Sequence, residues 1–198
     1  MYQTKLPAEM RRAVTVEAVI ALAAKTNPAE ITTAPIAAPM GASQGAPFRP
    51  FAAKQTAWTA VMDWTADTLL ARFDAVTGAT PVDRLRAIFT THIAFVVEHV
   101  GVPRILFGEL QRDSDAPGKA RVRALMTGYR DRVINLLEQA KAQGLIKETT
   151  DCSAAASMFL GMVQGLAMQA MAADDFDNMP AVSLRMFDLF LDALGAAT

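Results

Sequence analysis

Apolar residues recur at three- and four-residue spacing through most of the chain, broken by Pro, Gly and Asn, and this pattern predicts nine helices. The first runs from about Glu9 to Lys25, with Val16, Val19, Ile20 and Ala23 on one stripe and Arg11, Arg12 and Glu17 off it; Asn27-Pro28 ends it. Two short helices are expected next: Ile31 to Ala38, capped by Thr32 or Thr33, and one opened by Ser43, with a turn at Gly41 between them. From Gln55 the pattern strengthens, and Trp58, Val61, Met62, Thr65, Leu69 and Phe73 form a continuous stripe to about Ala75. Pro81 opens a helix lined by Leu85, Ile88, Phe89, His92 and Val96, and Gly101 and Pro103 start a short one that ends at Leu110. The polar run Gln111 to Gly118, with its Pro-Gly, reads as a loop. Val122, Leu125, Met126, Tyr129, Val133, Leu136, Leu137 and Ala140 then share one face of a long helix stopped by Gly144. Asp151 caps a helix to about Ala173 that is apolar nearly all round (Ala154, Ala155, Met158, Phe159, Met162, Leu166, Met168), so it must be buried on more than one side. The last helix, Ala181 to Leu194, carries Leu184, Phe187, Phe190, Leu191 and Leu194.

Composition agrees with an all-α protein: the chain is 52% hydrophobic and rich in the helix formers Ala, Leu and Met. The single Cys152 excludes an intramolecular disulfide framework and fits a reducing cytosol. The start MYQTKLPAEMRR lacks the apolar core of a signal peptide, and no later run approaches the roughly 18 apolar residues of a membrane span. A soluble, cytoplasmic protein without a membrane partner is expected. The two histidines, His92 and His99, stand in no metal-ligand spacing and beside no nucleophile constellation, so no metal, cofactor, catalytic residue or enzymatic activity is expected.

Net charge is −1, but its distribution is uneven. Residues 1–54 hold six Lys/Arg against three Glu, and the remainder 13 against 17. A mildly basic head on an acidic body suits one nucleic-acid-facing end, although a solvated surface explains it almost as well.

His92 lies on the apolar stripe of its helix. It is either a hydrogen-bonded core residue or a polar handle in a cavity lined by Phe89, Phe107, Met126, Tyr129 and Met162, a composition suited to a small apolar ligand. Methionine at helical spacing also serves as plain core filling. Gly161 and Gly165, one turn apart, let a partner helix approach closely. A helix apolar all round followed by an apolar last helix is hard to bury in one subunit, which points to a homodimer; packing inside the subunit is the alternative.

The stretch Ile31 to Lys54 reads ITTAPIAAPMGASQGAPFRPFAAK: a short helix, a turn, a second short helix and an aromatic-basic tail, the order of a helix-turn-helix. With Thr32, Thr33, Ile36, Ala37, Gly41, Ser43, Gly45, Phe48, Phe51 and Lys54 in register, it resembles the tetracycline-repressor (TetR) family of bacterial transcription regulators. Val100 to Leu110, VGVPRILFGEL, resembles the ligand-sensing half of such regulators. The resemblance implies an N-terminal three-helix DNA-binding domain, residues 1–54, and a six-helix ligand-sensing and dimerisation bundle, residues 55–198. It implies that Thr33 holds a phosphate, that Ser43, Gln44 and Gly45 present a helix N-terminus to the groove, and that Phe48 and Lys54 touch the backbone. Arg49 can reach a phosphate or a base edge. It further implies a four-helix dimer interface from the last two helices, with Phe187, Phe190 and Leu191 as knobs.

The chain departs from the family at Pro35, Pro39, Pro47 and Pro50. Pro35 is tolerable in a first helical turn, whereas Pro39 and Pro47 lie further in, where each costs on the order of 3 kcal/mol, and Pro50 replaces a side chain that would touch phosphate. The expectation is a homodimeric repressor that binds double-stranded operator DNA and is released by a small apolar effector. The alternative is a helical ligand-binding or scaffolding dimer whose proline-rich head has lost specific DNA binding.

Overall fold

The computed structural model describes residues 8–32, 50–113 and 116–196. Among them are seven helices and no strand: α1 Ala8–Lys25, α2 Pro50–Asp74, α3 Pro81–Glu98, α4 Gly101–Leu110, α5 Pro117–Ala142, α6 Cys152–Ala173 and α7 Met179–Leu194. The two short helices expected between Ile31 and Lys54 fall mostly on residues 33–49, which lie outside the described residues, as do Pro35, Pro39 and Pro47.

Two proline assignments are corrected. The helix expected from Gln55 begins five residues earlier, at Pro50. A proline at the first helical position has no amide partner to forgo and a ring that presets φ, so Pro50 favours this helix start. Likewise Pro117-Gly118 is the first turn of α5 and not a loop. Gly118 is required there: a Cβ at this position would fall 2.0 Å from Oε2 of Glu109.

The described residues pack as two units. The first draws on Met1–Asp67 and His99–Arg123, the second on Thr68–Glu98 and Ala124–Thr198. This division differs from a linear cut at residue 54, because α2 and α5 each supply residues to both units.

In the first unit α1 packs on α4. Val16, Val19, Ile20 and Ala23, the stripe read from the sequence, are buried together with Trp58, Val61, Met62, Val102 and Ile105. The two backbones come so close that a Cβ at Gly101 would lie 2.1 Å from the Ile20 carbonyl oxygen. Glu109 is 2% exposed. Its carboxylate lies against the first turn of α5 and 3.8 Å from the Arg112 guanidinium. Burial raises its pKa, and the Arg112 charge opposes that shift.

In the second unit α3, α6 and α7 pack on one another. Their core is aromatic: Phe89, Phe159, Phe187 and Phe190 are fully buried, with ring centroids 5.1 to 6.1 Å apart. Such tilted and edge-on pairs add about 0.5–1.5 kcal/mol each beyond their buried area. Asp151 caps α6 as expected, accepting from the Ser153 and Ala154 amides at 3.0 Å. Gly144 takes φ +68° after α5, and Gly195 takes φ +67° after α7, left-handed positions that glycine fills without strain.

Helix α6 spans 22 residues, Cys152–Ala173. By length and composition it is apolar enough to cross a membrane, the one such helix among the described residues. Its inner face is nonetheless occupied by the phenylalanine core, and Ser157, Gln164 and Gln169 interrupt its outer face.

Candidate functional site

Of the residues expected to face DNA, Thr33, Ser43, Gln44, Gly45, Phe48 and Arg49 lie outside the described residues. Lys54, in the first turns of α2, is described. Its ammonium donates to the Ala29 carbonyl at 2.8 Å and sits 5.6 Å from the centre of the Trp58 ring. Partial burial and then the nearby Arg112 charge lower its pKa. Lys54 thus ties the chain after α1 to α2 while keeping two donors, a role the sequence did not reveal.

The sequence-expected pocket residues fall in different surroundings. Phe89 belongs to the closed phenylalanine core, against Phe159 and Phe187. Phe107 is part-exposed on α4, in the first unit. Met126 is part-exposed, its sulfur accepting from Gln164 Nε2 at 3.5 Å, and Met162 is buried on α6.

His92 and Tyr129 are brought together in the second unit. The Tyr129 hydroxyl lies 3.2 Å from His92 Nδ1. Phe73 flanks both rings, with centroids 5.9 Å from His92 and 4.7 Å from Tyr129, and Phe159 lies edge-on to Tyr129 at 6.1 Å. Tyr129 is buried, whereas His92 keeps partial exposure. Desolvation among these rings pushes the His92 imidazole down to about 4, so it is neutral at pH 7. The same burial raises Tyr129 well above the ordinary phenol range. The pair is therefore an uncharged polar spot in an aromatic surround.

Helical phase corrects the expected dimer knobs. Phe187, Phe190 and Leu191 recur at i, i+3 and i+4 and point into the subunit, where all three are buried. The apolar side chains left outside are Met158 and Met168 on α6 and Leu184 and Leu189 on α7, with Leu189 68% exposed. Gly161 is exposed and Gly165 partly so, and a Cβ at either would meet nothing within 4 Å. A finer reading of the 3.6-residue period on α7 separates the two faces from sequence alone.

Elsewhere in this unit, an open cleft of about 560 Å³ is lined by Glu138, Lys141, Ala142, Gly144, Ile146 and Glu148. Its charged lining is unlike that of a site for apolar ligands. Cys152 is buried, and burial together with a hydrogen bond and the charge of Glu138 raises its pKa, which disfavours the reactive thiolate. Among the described residues no group of three or more His, Cys, Asp or Glu is placed to hold a metal.

Comparison with known proteins gives a consistent result. Residues 78–168 match the model of the tetracyclin repressor-like C-terminal domain. The chain is 29% identical over 147 residues to the nucleoid occlusion factor SlmA of Idiomarina loihiensis, covering 71% of this chain and 72% of that one. Among solved structures it is similar to the ketosteroid transcriptional regulator KstR2 of Mycobacterium tuberculosis, with a TM-score of 0.75, 17% identity, and 100% and 98% of the two chains covered. It is also similar to AibR, whose structure is in complex with isovaleryl coenzyme A and operator DNA. There the TM-score is 0.64 and the identity 25%, with 80% and 86% covered.

Proposed function

We propose that the chain is a DNA-binding transcriptional regulator of the tetracycline-repressor family, a homodimeric repressor released from its operator by a small apolar effector. One observation carries this reading. The stretch ITTAPIAAPMGASQGAPFRPFAAK, in register with a DNA-reading head, precedes a helical body that matches the sensor domain over residues 78–168.

In this reading Thr33, Ser43, Gln44, Gly45, Phe48 and Arg49 meet DNA, and the two remaining donors of Lys54 reach a phosphate at the edge of the same surface. The Gly101 contact supports a rigid seat for α1, since backbone-to-backbone packing leaves no side chain to yield. The effector enters beside His92 and Tyr129. It favours an arrangement of the dimer in which the two heads no longer match successive major grooves. Two copies meet through the outward face of α6 and α7: Met158, Gly161, Gly165 and Met168 with Leu184 and Leu189. The small residues let the helices approach, and the large ones fill the remaining space.

Selection of bound duplexes from a random DNA pool tests this reading. Enrichment of near-palindromic sequences with half-sites about one helical turn apart supports it. A pool that stays random would instead support the reading in which the proline-rich head has lost specific DNA binding.

A further inference from the structure

A buried tyrosine hydroxyl needs an acceptor, because an unpaired O–H in an apolar core costs about 1–3 kcal/mol. Among the described residues the hydrogen bond of Tyr129 runs to one atom, His92 Nδ1 at 3.2 Å. If Nδ1 carried the proton, the phenolic oxygen would accept from it and the Tyr129 proton would be left without an acceptor. The satisfied arrangement is the opposite one: Tyr129 O–H donates to Nδ1, and the imidazole proton resides on Nε2.

Nε2 itself makes no hydrogen bond among the described residues, and His92 keeps partial exposure. Tyr129 therefore fixes His92 as an N–H donor directed away from the pair, framed by the aromatic edge of Phe73. A ligand that meets this donor must bring an acceptor. A carboxylate is poorly matched, because it would lose its water beside a neutral ring. The cations of the neighbouring helix turns are already engaged: Arg72 with Glu98, Arg132 with Asp74, and Arg130 with Ser153.

We propose that His92 Nε2–H, held as a donor by Tyr129, selects effectors in which an uncharged carbonyl (ester, thioester, ketone or amide) is carried on an apolar body. This inference rests on the effector site described above. It is tested without DNA, so that its failure leaves the operator reading standing.

The probes are methyl benzoate, benzoate and ethylbenzene, which share an aromatic body and differ in the acceptor. The wild-type protein, 15N-labelled at histidine, is titrated with each, with affinity and the His92 ring nitrogens followed by NMR. The expected result is a free protein with the proton on Nε2, and methyl benzoate bound about tenfold more tightly than ethylbenzene and more tightly than benzoate, with a shift at Nε2. Tenfold corresponds to one net hydrogen bond. His92→Phe should remove the preference for the ester while ethylbenzene still binds.

A proton on Nδ1, equal affinity for ester and hydrocarbon, tightest binding of benzoate, or binding of none of the three would overturn the proposal. The tautomer is read on the wild-type protein, so that arm holds even if His92→Phe fails to fold.

Discussion

Gly101 stands directly against Ile20: a Cβ added to the glycine would sit 2.1 Å from the Ile20 carbonyl oxygen and 3.0 Å from the Ala24 amide nitrogen. Both neighbours are backbone atoms of α1, so relief requires the helices to separate. Gly101→Ala should destabilise the protein by about 1–3 kcal/mol or more, the scale of overpacking in a core. It should weaken DNA binding as well, because α1 is the first helix of the proposed head. Gly108→Ala, where a Cβ meets nothing within 4 Å, is the matched control and should melt close to wild type. Equal melting of the two variants would contradict the close α1–α4 contact.

The His92 imidazole should make stability depend on pH. Its pKa is about 4 in the folded protein and about 6.5 in an unfolded chain, so between those values the unfolded state binds the extra proton. The stability contribution is fully present above pH 6.5 and is lost as pH falls toward 4, by on the order of 2–3 kcal/mol. His92→Phe removes this titration. The difference in unfolding free energy between wild type and variant should therefore change between pH 7.5 and 4.5, with the variant gaining relative stability in acid. Parallel profiles would contradict the neutral, desolvated histidine.

Asp151 holds two amides of the first turn of α6 at 3.0 Å. Asp151→Ala should cost about 1 kcal/mol, and Asp151→Asn should recover most of it. Thermal unfolding of the three proteins at one pH checks both values.

The outward face of α6 and α7 should hold two copies together. Met168→Glu with Leu189→Glu places charges on side chains that are exposed in the single subunit, so the fold should survive and the dimer dissociate. Sedimentation velocity reads the mass and circular dichroism the helicity. Phe187→Glu, which buries a charge in the aromatic core, should instead lose the fold. A double variant that remains dimeric would place the interface elsewhere.

Much of the fold was legible because helical periodicity survives in a sequence. The stripes Val16 to Ala23 and Val122 to Ala140 are buried almost entirely as read, and Asp151 caps α6 where its spacing indicates. The errors came from residues whose local preference is ambiguous. Pro50 and Pro117 break a helix interior yet suit its first turn, and only the paths of the flanking chain decide between the two. Long-range partners were not legible. Nothing near Gly118 in the sequence announces Glu109, and nothing near Gly101 announces Ile20. The sequence places His92 as a polar residue on an apolar stripe, but its tautomer depends on Tyr129, 37 residues away.

The role as an operator-binding regulator is decided by specific, salt-sensitive DNA binding of the dimer. Duplexes from the region around the protein's own gene are titrated by fluorescence anisotropy at 50 and 200 mM salt, beside a scrambled duplex. At least one native duplex should bind well above the scrambled control, with a loss of affinity of several orders of magnitude at the higher salt if six to ten phosphates are contacted. Binding no tighter than to the scrambled duplex at 50 mM salt, with the dimer intact, would contradict that role.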